Sequence, residues 1–150
     1  MPEPVTVLMV DDDREIVRGA CLRLQAAGYR MLTAGDGEAG IVAAIVNHPD
    51  VILLDVRLPR RDGLSALSHL KRRPETKDIP VVMLSASVVD QQAALDAGAR
   101  FFLRKPYRGD ILVQAVGTAL TTKDPSCFNA DTHPTGADSY DPPAKSPPRL

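Results

Sequence analysis

The 150-residue sequence predicts an α/β fold: a doubly wound, five-stranded parallel sheet in the order 2-1-3-4-5, with helices on both faces. Three observations predict it. Short apolar runs alternate with stretches of helical periodicity, and the strand-helix pair recurs five times along the chain. The central run, Val51-Ile52-Leu53-Leu54, is apolar without alternation, which suits a strand buried on both faces of a parallel sheet. That run leads straight into Asp55, and other strands also end in reactive residue types, at the edge where open α/β sheets bind ligands. Right-handed crossovers leave few topologies for five such units, and the commonest sets strands 1 and 3 side by side.

Val5 to Val10 is the first strand, and it ends in Asp11-Asp12-Asp13. A helix follows, with Asp13 as N-cap and Glu15 favourable in the first turn. Ile16, Val17, Ala20, Leu24 and Ala27 recur at helical spacing, and Gly28 closes the helix. Tyr29 to Ala34 is a weaker second strand, followed by the turn Gly35-Asp36-Gly37. The second helix spans Glu38 to Val46, with Ala39, Val42, Ala43 and Val46 expected to face inward. Asn47-His48-Pro49-Asp50 breaks it and delivers the chain to the central strand. After Asp55 a loop runs from Arg57 to Gly63, and a third helix from Leu64 to Arg72 buries Leu64, Leu67 and Leu70. A polar loop with two prolines leads to the fourth strand, Val81 to Leu84, which ends in Ser85-Ala86-Ser87. A fourth helix, Val88 to Ala97, stops at Gly98, and the fifth strand, Arg100 to Leu103, ends in Arg104-Lys105-Pro106. Arg108 to Leu120 is the last helix, with Ile111, Leu112, Ala115, Val116 and Ala119 inward.

Composition excludes several function classes. A hydrophobic fraction of 44% and a charged fraction of 25% are those of a globular domain with a core. A net charge of -1 argues against a general electrostatic hold on nucleic acid, and the absence of Trp disfavours a base-stacking surface. No apolar run approaches membrane-spanning length, and Met1-Pro2-Glu3-Pro4 lacks the basic region of a signal peptide. Cys21 is expected as a small core residue and Cys127 lies in a polar stretch. The pair is not in a metal-type spacing, which fits a reducing cytoplasm. The three histidines, His48, His69 and His133, suit surface positions rather than catalysis.

From about residue 121 the composition shifts: six of the thirteen prolines fall there, with few large apolar residues. The expected organisation is therefore a domain over residues 1–120 and a proline-rich, disordered tail over 121–150.

The ordering 2-1-3-4-5 brings four strand ends to one edge. Asp11, Asp12 and Asp55 converge where strands 1 and 3 adjoin, Ser85 arrives from strand 4, and Lys105 from strand 5. Like charges about 4 Å apart repel by roughly 4 kcal/mol per pair at an effective dielectric of about 20, and protonation or a divalent cation relieves this. Donors that are all oxygen select a hard cation such as Mg²⁺. The first strand-helix turn carries acids in place of Gly-x-Gly-x-x-Gly, so it repels a dinucleotide phosphate. The constellation suits a phosphoryl group brought to a metal, with a carboxylate as possible nucleophile and Ser85 and Lys105 on the phosphoryl oxygens.

Residues 5 to about 120 resemble the receiver domain of bacterial two-component response regulators, a flavodoxin-like fold. The likeness rests on Val10-Asp11-Asp12-Asp13, on Leu54-Asp55-Val56-Arg57-Leu58-Pro59 with Asp62-Gly63, on Ser85-Ala86 and on Lys105-Pro106. It implies Asp55 as the phosphoacceptor, served by a sensor histidine kinase or a phosphotransfer protein. It implies Asp12 as the more direct Mg²⁺ ligand, Asp11 as a ligand through water, Asp55 itself and the backbone carbonyl of Arg57. Ser85 matches the switch hydroxyl, and the Lys105-Pro106 peptide bond is usually cis in the family. Phe102 takes the switch-aromatic position, although both Phe101 and Phe102 also read simply as core. Arg57 and Ser87 depart from the common pattern and are expected to face the site and tune the lifetime of an acyl phosphate. Tyr107 stands where Phe is common.

The resemblance implies a stand-alone cytoplasmic switch that acts on a downstream protein target, with no direct nucleic acid and no membrane insertion. It is a phosphoacceptor rather than an enzyme in the ordinary sense. Two alternatives remain open at this stage. One is a degenerate receiver that only binds partners. The other is a haloacid-dehalogenase-type phosphohydrolase, which wants its two acids after the first strand and a cap that this chain lacks.

Overall fold

The computed structural model describes residues 4–121. Among them lie β1 (Thr6–Val10), α1 (Arg14–Ala26), β2 (Arg30–Ala34), α2 (Gly37–Asn47), β3 (Val51–Asp55), α3 (Gly63–Lys71), β4 (Val81–Ser85), α4 (Gln91–Asp96), β5 (Phe101–Arg104) and α5 (Gly109–Thr121). The strands form one parallel sheet in the order β2-β1-β3-β4-β5, as the alternation of elements predicts. The residues of the expected tail beyond Thr121, with Cys127 and His133, lie outside the described residues.

Period-two alternation divides the core into two layers. Leu8, Val10, Ile52, Leu54, Val81, Met83 and Phe102 face α2, α3 and α4. Val7, Met9, Val51, Leu53, Val82, Leu84, Phe101 and Leu103 face α1 and α5. Phe101 and Phe102 thus point to opposite faces, as adjacent strand residues must. β3 and β4 are buried along their whole length, whereas β2, at the sheet edge, buries only Ala34 fully.

Local chemistry sets the helix starts. Asp13, Asp36 and Asp62 each turn a carboxylate back onto backbone N–H groups of the first turn, at 2.8 to 3.2 Å, and so N-cap α1, α2 and α3. Gly28 ends the α1 turn at φ 100°, a left-handed conformation that favours glycine.

Four expectations are corrected. The inward face of α2 is Gly37, Gly40, Ile41 and Ala44, while Val42 and Val46 are 57% and 67% exposed. The helix is apolar nearly all round, so hydrophobic spacing does not mark its face. Close approach to β1 decides instead: a Cβ on Gly40 would lie 2.9 Å from Val10 Cγ1. The expected fourth helix is split into a 3₁₀ turn over Val88–Asp90 and a short α4, because Ser87 caps the turn through the N–H of Val89. Ala27 is exposed past the end of α1, and Cys21 is only partly buried, outside both core layers.

These orientations predict that Val42→Lys and Val46→Lys each change stability by no more than about 0.5 kcal/mol. Gly40→Leu, forced onto Val10, should cost about 1–3 kcal/mol. Urea unfolding midpoints distinguish the two behaviours.

Candidate functional site

Asp55 is the last residue of β3 and shares strand parity with Val51 and Leu53. Asp11 and Lys105 continue the parity of Met9 and Leu103 one step past their strands. All three side chains therefore rise on the α1/α5 side of the same sheet edge. The Lys105 ammonium donates to Asp11 Oδ2 at 2.8 Å and to Asp55 Oδ2 at 3.1 Å. The other oxygen of each carboxylate accepts a backbone N–H two residues on: Asp13 to Asp11 Oδ1 at 2.9 Å, and Arg57 to Asp55 Oδ1 at 3.3 Å.

Asp11 and Asp55 are 3% and 5% exposed, whereas Asp12 faces solvent. One oxygen from each of Asp11, Asp12 and Asp55 lies within 4.8 Å of the others. Three carboxylates against one ammonium leave two negative charges at one strand edge, which matches a divalent cation. The donor set is oxygen throughout, as a hard ion requires. The electrostatics follow from burial. Desolvation raises the pKa of Asp55, and the charge of Asp11 raises it further, against the opposing pull of Lys105. Burial works to lower the pKa of Lys105, but the hydrogen bond to Asp11 and the charges of Asp55 and Asp11 outweigh it and hold the ammonium above its ordinary value.

Gly63 sits against the end of β3. Its N–H donates to the carbonyl of Val56 at 2.8 Å, and a Cβ there would collide with the carbonyl oxygen of Asp55. The Asp62-Gly63 pair thus caps α3 with one residue and leaves room for the strand end with the next.

Ser85 belongs to the other face. It shares the parity of Met83, toward α4, and its hydroxyl donates to Asp90 Oδ2 at 2.8 Å. Phe102 packs on that same face in the core layer with Met83, Ala94 and Ala99. The Arg57 guanidinium, expected beside Asp55, instead lies 3.4 Å from both oxygens of Asp90. Its side chain is 74% exposed, against 11% for Asp90. Ser87, expected to face the site, commits its hydroxyl to the cap of the 3₁₀ turn. The Lys105-Pro106 bond is cis, as the resemblance implies.

Sequence reasoning missed Asp90. It falls inside the continuous helix expected over Val88 to Ala97, whereas the break at Ser87 places it at the start of α4 with its carboxylate turned to Ser85. An Asp at the head of a helix was the available signal.

Beside Lys105, a cavity of about 530 Å³ opens between α1 and the start of α5, lined by Ile16, Ala20, Pro106, Tyr107 and Leu112 among others. The Tyr107 hydroxyl is buried with no hydrogen-bond partner among the described residues, and burial pushes its pKa up to about 12.

Comparison with known proteins agrees with this geometry. Residues 7–117 match the family model of the response regulator receiver domain. The transcriptional regulatory protein PrrA of Mycobacterium tuberculosis is 41% identical over 103 residues, which cover 67% of this chain and 43% of PrrA. The DNA-binding dual master transcriptional regulator RpaA of Synechocystis is 36% identical over 120 residues, 79% of this chain and 50% of RpaA. The chain spans about half the length of the curated relatives it matches. Among solved structures, the chemotaxis response regulator CheY4 of Vibrio cholerae superposes with a TM-score of 0.75 at 29% identity, over 79% of this chain and all of CheY4. The receiver domain of NtrX from Brucella abortus gives 0.73 at 31%, over 77% of this chain and 98% of that domain.

The raised pKa of Asp55 has a consequence for stability. Between the unfolded value of about 4 and the raised folded value, the native state holds more protons than the unfolded one. The stability contributed by Asp55 is thus complete below about pH 4 and is lost as pH rises through the folded pKa. In metal-free buffer, Asp55→Asn should be more stable than wild type at neutral pH, and the gap should shrink toward pH 4. Urea titrations at the two pH values measure it.

Proposed function

The chain belongs to the response regulator receiver domain family of two-component signalling, and from that premise we propose that it is a switch phosphorylated on Asp55. The observation that carries the reading is the Lys105 ammonium shared by Asp11 and Asp55, with Asp12 close enough to complete an acidic site. Asp11, Asp12, Asp55 and the backbone carbonyl of Arg57 would hold Mg²⁺. When bound, the ion supplies charge neutralisation for the incoming phosphoryl oxygens.

The rest of the chemistry belongs to the chain's own residues. A carboxylate oxygen of Asp55 attacks phosphorus and forms the new O–P bond. The bond from phosphorus to the donor's imidazole nitrogen breaks, and that nitrogen keeps the electron pair. Lys105 moves its ammonium onto a phosphoryl oxygen as the Asp55 charge passes to the phosphoryl group. Ser85 donates its hydroxyl to another, and Phe102, on the same face, follows the movement of β4 and β5.

The donor is a sensor histidine kinase or a phosphotransfer protein. The apolar cavity between α1 and α5, next to Lys105, suits the docking of a protein donor. The family is one of signalling switches rather than classical enzymes, which favours this reading over a phosphohydrolase. The presence of every expected site residue favours it over a degenerate binding module. The output we propose is altered binding of a downstream protein in the cytoplasm. Two relatives carry names of transcriptional regulators, one of them DNA-binding, and the matched segment is 50% and 43% of their respective lengths. No helix of the described residues is long and apolar enough to cross a membrane.

The test is intact mass after incubation with acetyl phosphate. One phosphoryl group should be gained by wild type with Mg²⁺, and none without Mg²⁺ or in Asp55→Asn. Labelling of Asp55→Asn at the wild-type level would move the acceptor elsewhere. Lys105→Ala should still bind Mg²⁺, followed by tyrosine fluorescence or NMR. Its phosphorylated form should lack the partner-binding change of wild type in a pull-down.

A further inference from the structure

A serine hydroxyl has one hydrogen to donate. In Ser85 that hydrogen goes to Asp90 Oδ2 at 2.8 Å, while the Ser85 Oγ itself accepts the N–H of Ser87 at 3.1 Å. Both side chains are buried, so water does not stand in for either partner. A charged acceptor makes this bond roughly twice as strong as a neutral one. Arg57 steadies Asp90 from the other side, 3.4 Å from both of its oxygens. Strand parity adds a geometric constraint. Ser85 lies on the α4 face with Met83, whereas Asp55 rises on the α1/α5 face with Leu53.

We propose that Asp90 is a positioning residue that latches the Ser85 hydroxyl to the α4 side of the sheet, so that Ser85 reaches a phosphoryl group on Asp55 only by giving up Asp90. The proposal rests on reading Asp55 as the acceptor and Ser85 as the hydroxyl that meets the phosphoryl group. The latch opposes the switched state. When Ser85 leaves, Asp90 keeps Arg57, which belongs to the loop directly after the acceptor. The exposed pair Val88 and Val89, between Ser85 and Asp90 in sequence, is therefore carried on the segment whose anchor is released.

The test uses the full chain, Mg²⁺ and beryllium fluoride as the phosphoryl mimic, with half-saturation read by NMR. Asp90→Ala should lower the half-saturating concentration about tenfold, the scale of one hydrogen bond to a charged acceptor. Asp90→Asn keeps an acceptor oxygen without the charge and should fall between, and it carries the test if the alanine variant does not fold. In a Ser85→Ala background neither substitution at Asp90 should shift half-saturation by more than about twofold, because the hydroxyl they release is gone. A fold that merely needed Asp90 would respond alike in both backgrounds. That result, or an unchanged or weakened affinity in Asp90→Ala, overturns the latch while leaving Asp55 as acceptor. A wild-type chain that keeps its native spectrum but binds no beryllium fluoride overturns the acceptor reading, and the latch with it.

Discussion

The Lys105 ammonium, divided between Asp11 and Asp55, is the contact on which the site depends. A buried carboxylate is costly unless paired and hydrogen-bonded. Two of them stand side by side at the ends of β1 and β3, and their shared cation comes from a residue 94 positions away from Asp11 in the chain. Only a sheet that brings β1, β3 and β5 to one edge allows this. The fold is, in that sense, the device that makes the acidic cluster tolerable. The backbone N–H groups of Asp13 and Arg57 complete the arrangement, each occupying the carboxylate oxygen that Lys105 leaves.

The tolerance is incomplete, and the chemistry we propose follows from the shortfall. One ammonium does not balance three carboxylates, and the pKa of Asp55 is raised in spite of Lys105. A site that retains excess negative charge attracts a cation. On the reading proposed above, a divalent cation would cancel that excess, so a phosphoryl group would meet a neutralised surface. Lys105 is poised for both conditions because its long stem lets one ammonium change partners without backbone movement.

Much of this was legible in the sequence because parallel sheets advertise their strands. Continuous apolar runs mark β3 and β4, and the residues that interrupt them mark the functional edge: Asp55 joins the acidic cluster, and Ser85 ends β4 on the opposite face. The Asp N-caps and the terminating Gly28 were legible for the same reason: their chemistry is local. The rest depended on tertiary distance. The face of α2 is set by Gly40 against Val10, and glycine contributes nothing to a hydrophobic pattern. The Arg57–Asp90 pair joins residues 33 apart across two loops, so neither residue alone predicts it. Ser87 looked like a site residue by its offset from Ser85, yet a hydroxyl two residues from a turn is as readily taken by a backbone N–H.

The parity of the strands has an architectural consequence. Asp11, Asp55 and Lys105 rise on one side of the sheet, while Ser85 and Phe102 belong to the other. The two groups meet at one sheet edge, where Asp55 of β3 pairs with Leu84 of β4, next to Ser85. On the reading proposed above, a donor over α1 and a downstream partner over α4 would address different surfaces. Under the proposed function the two need share no surface, so delivery and reading could overlap in time on a single molecule.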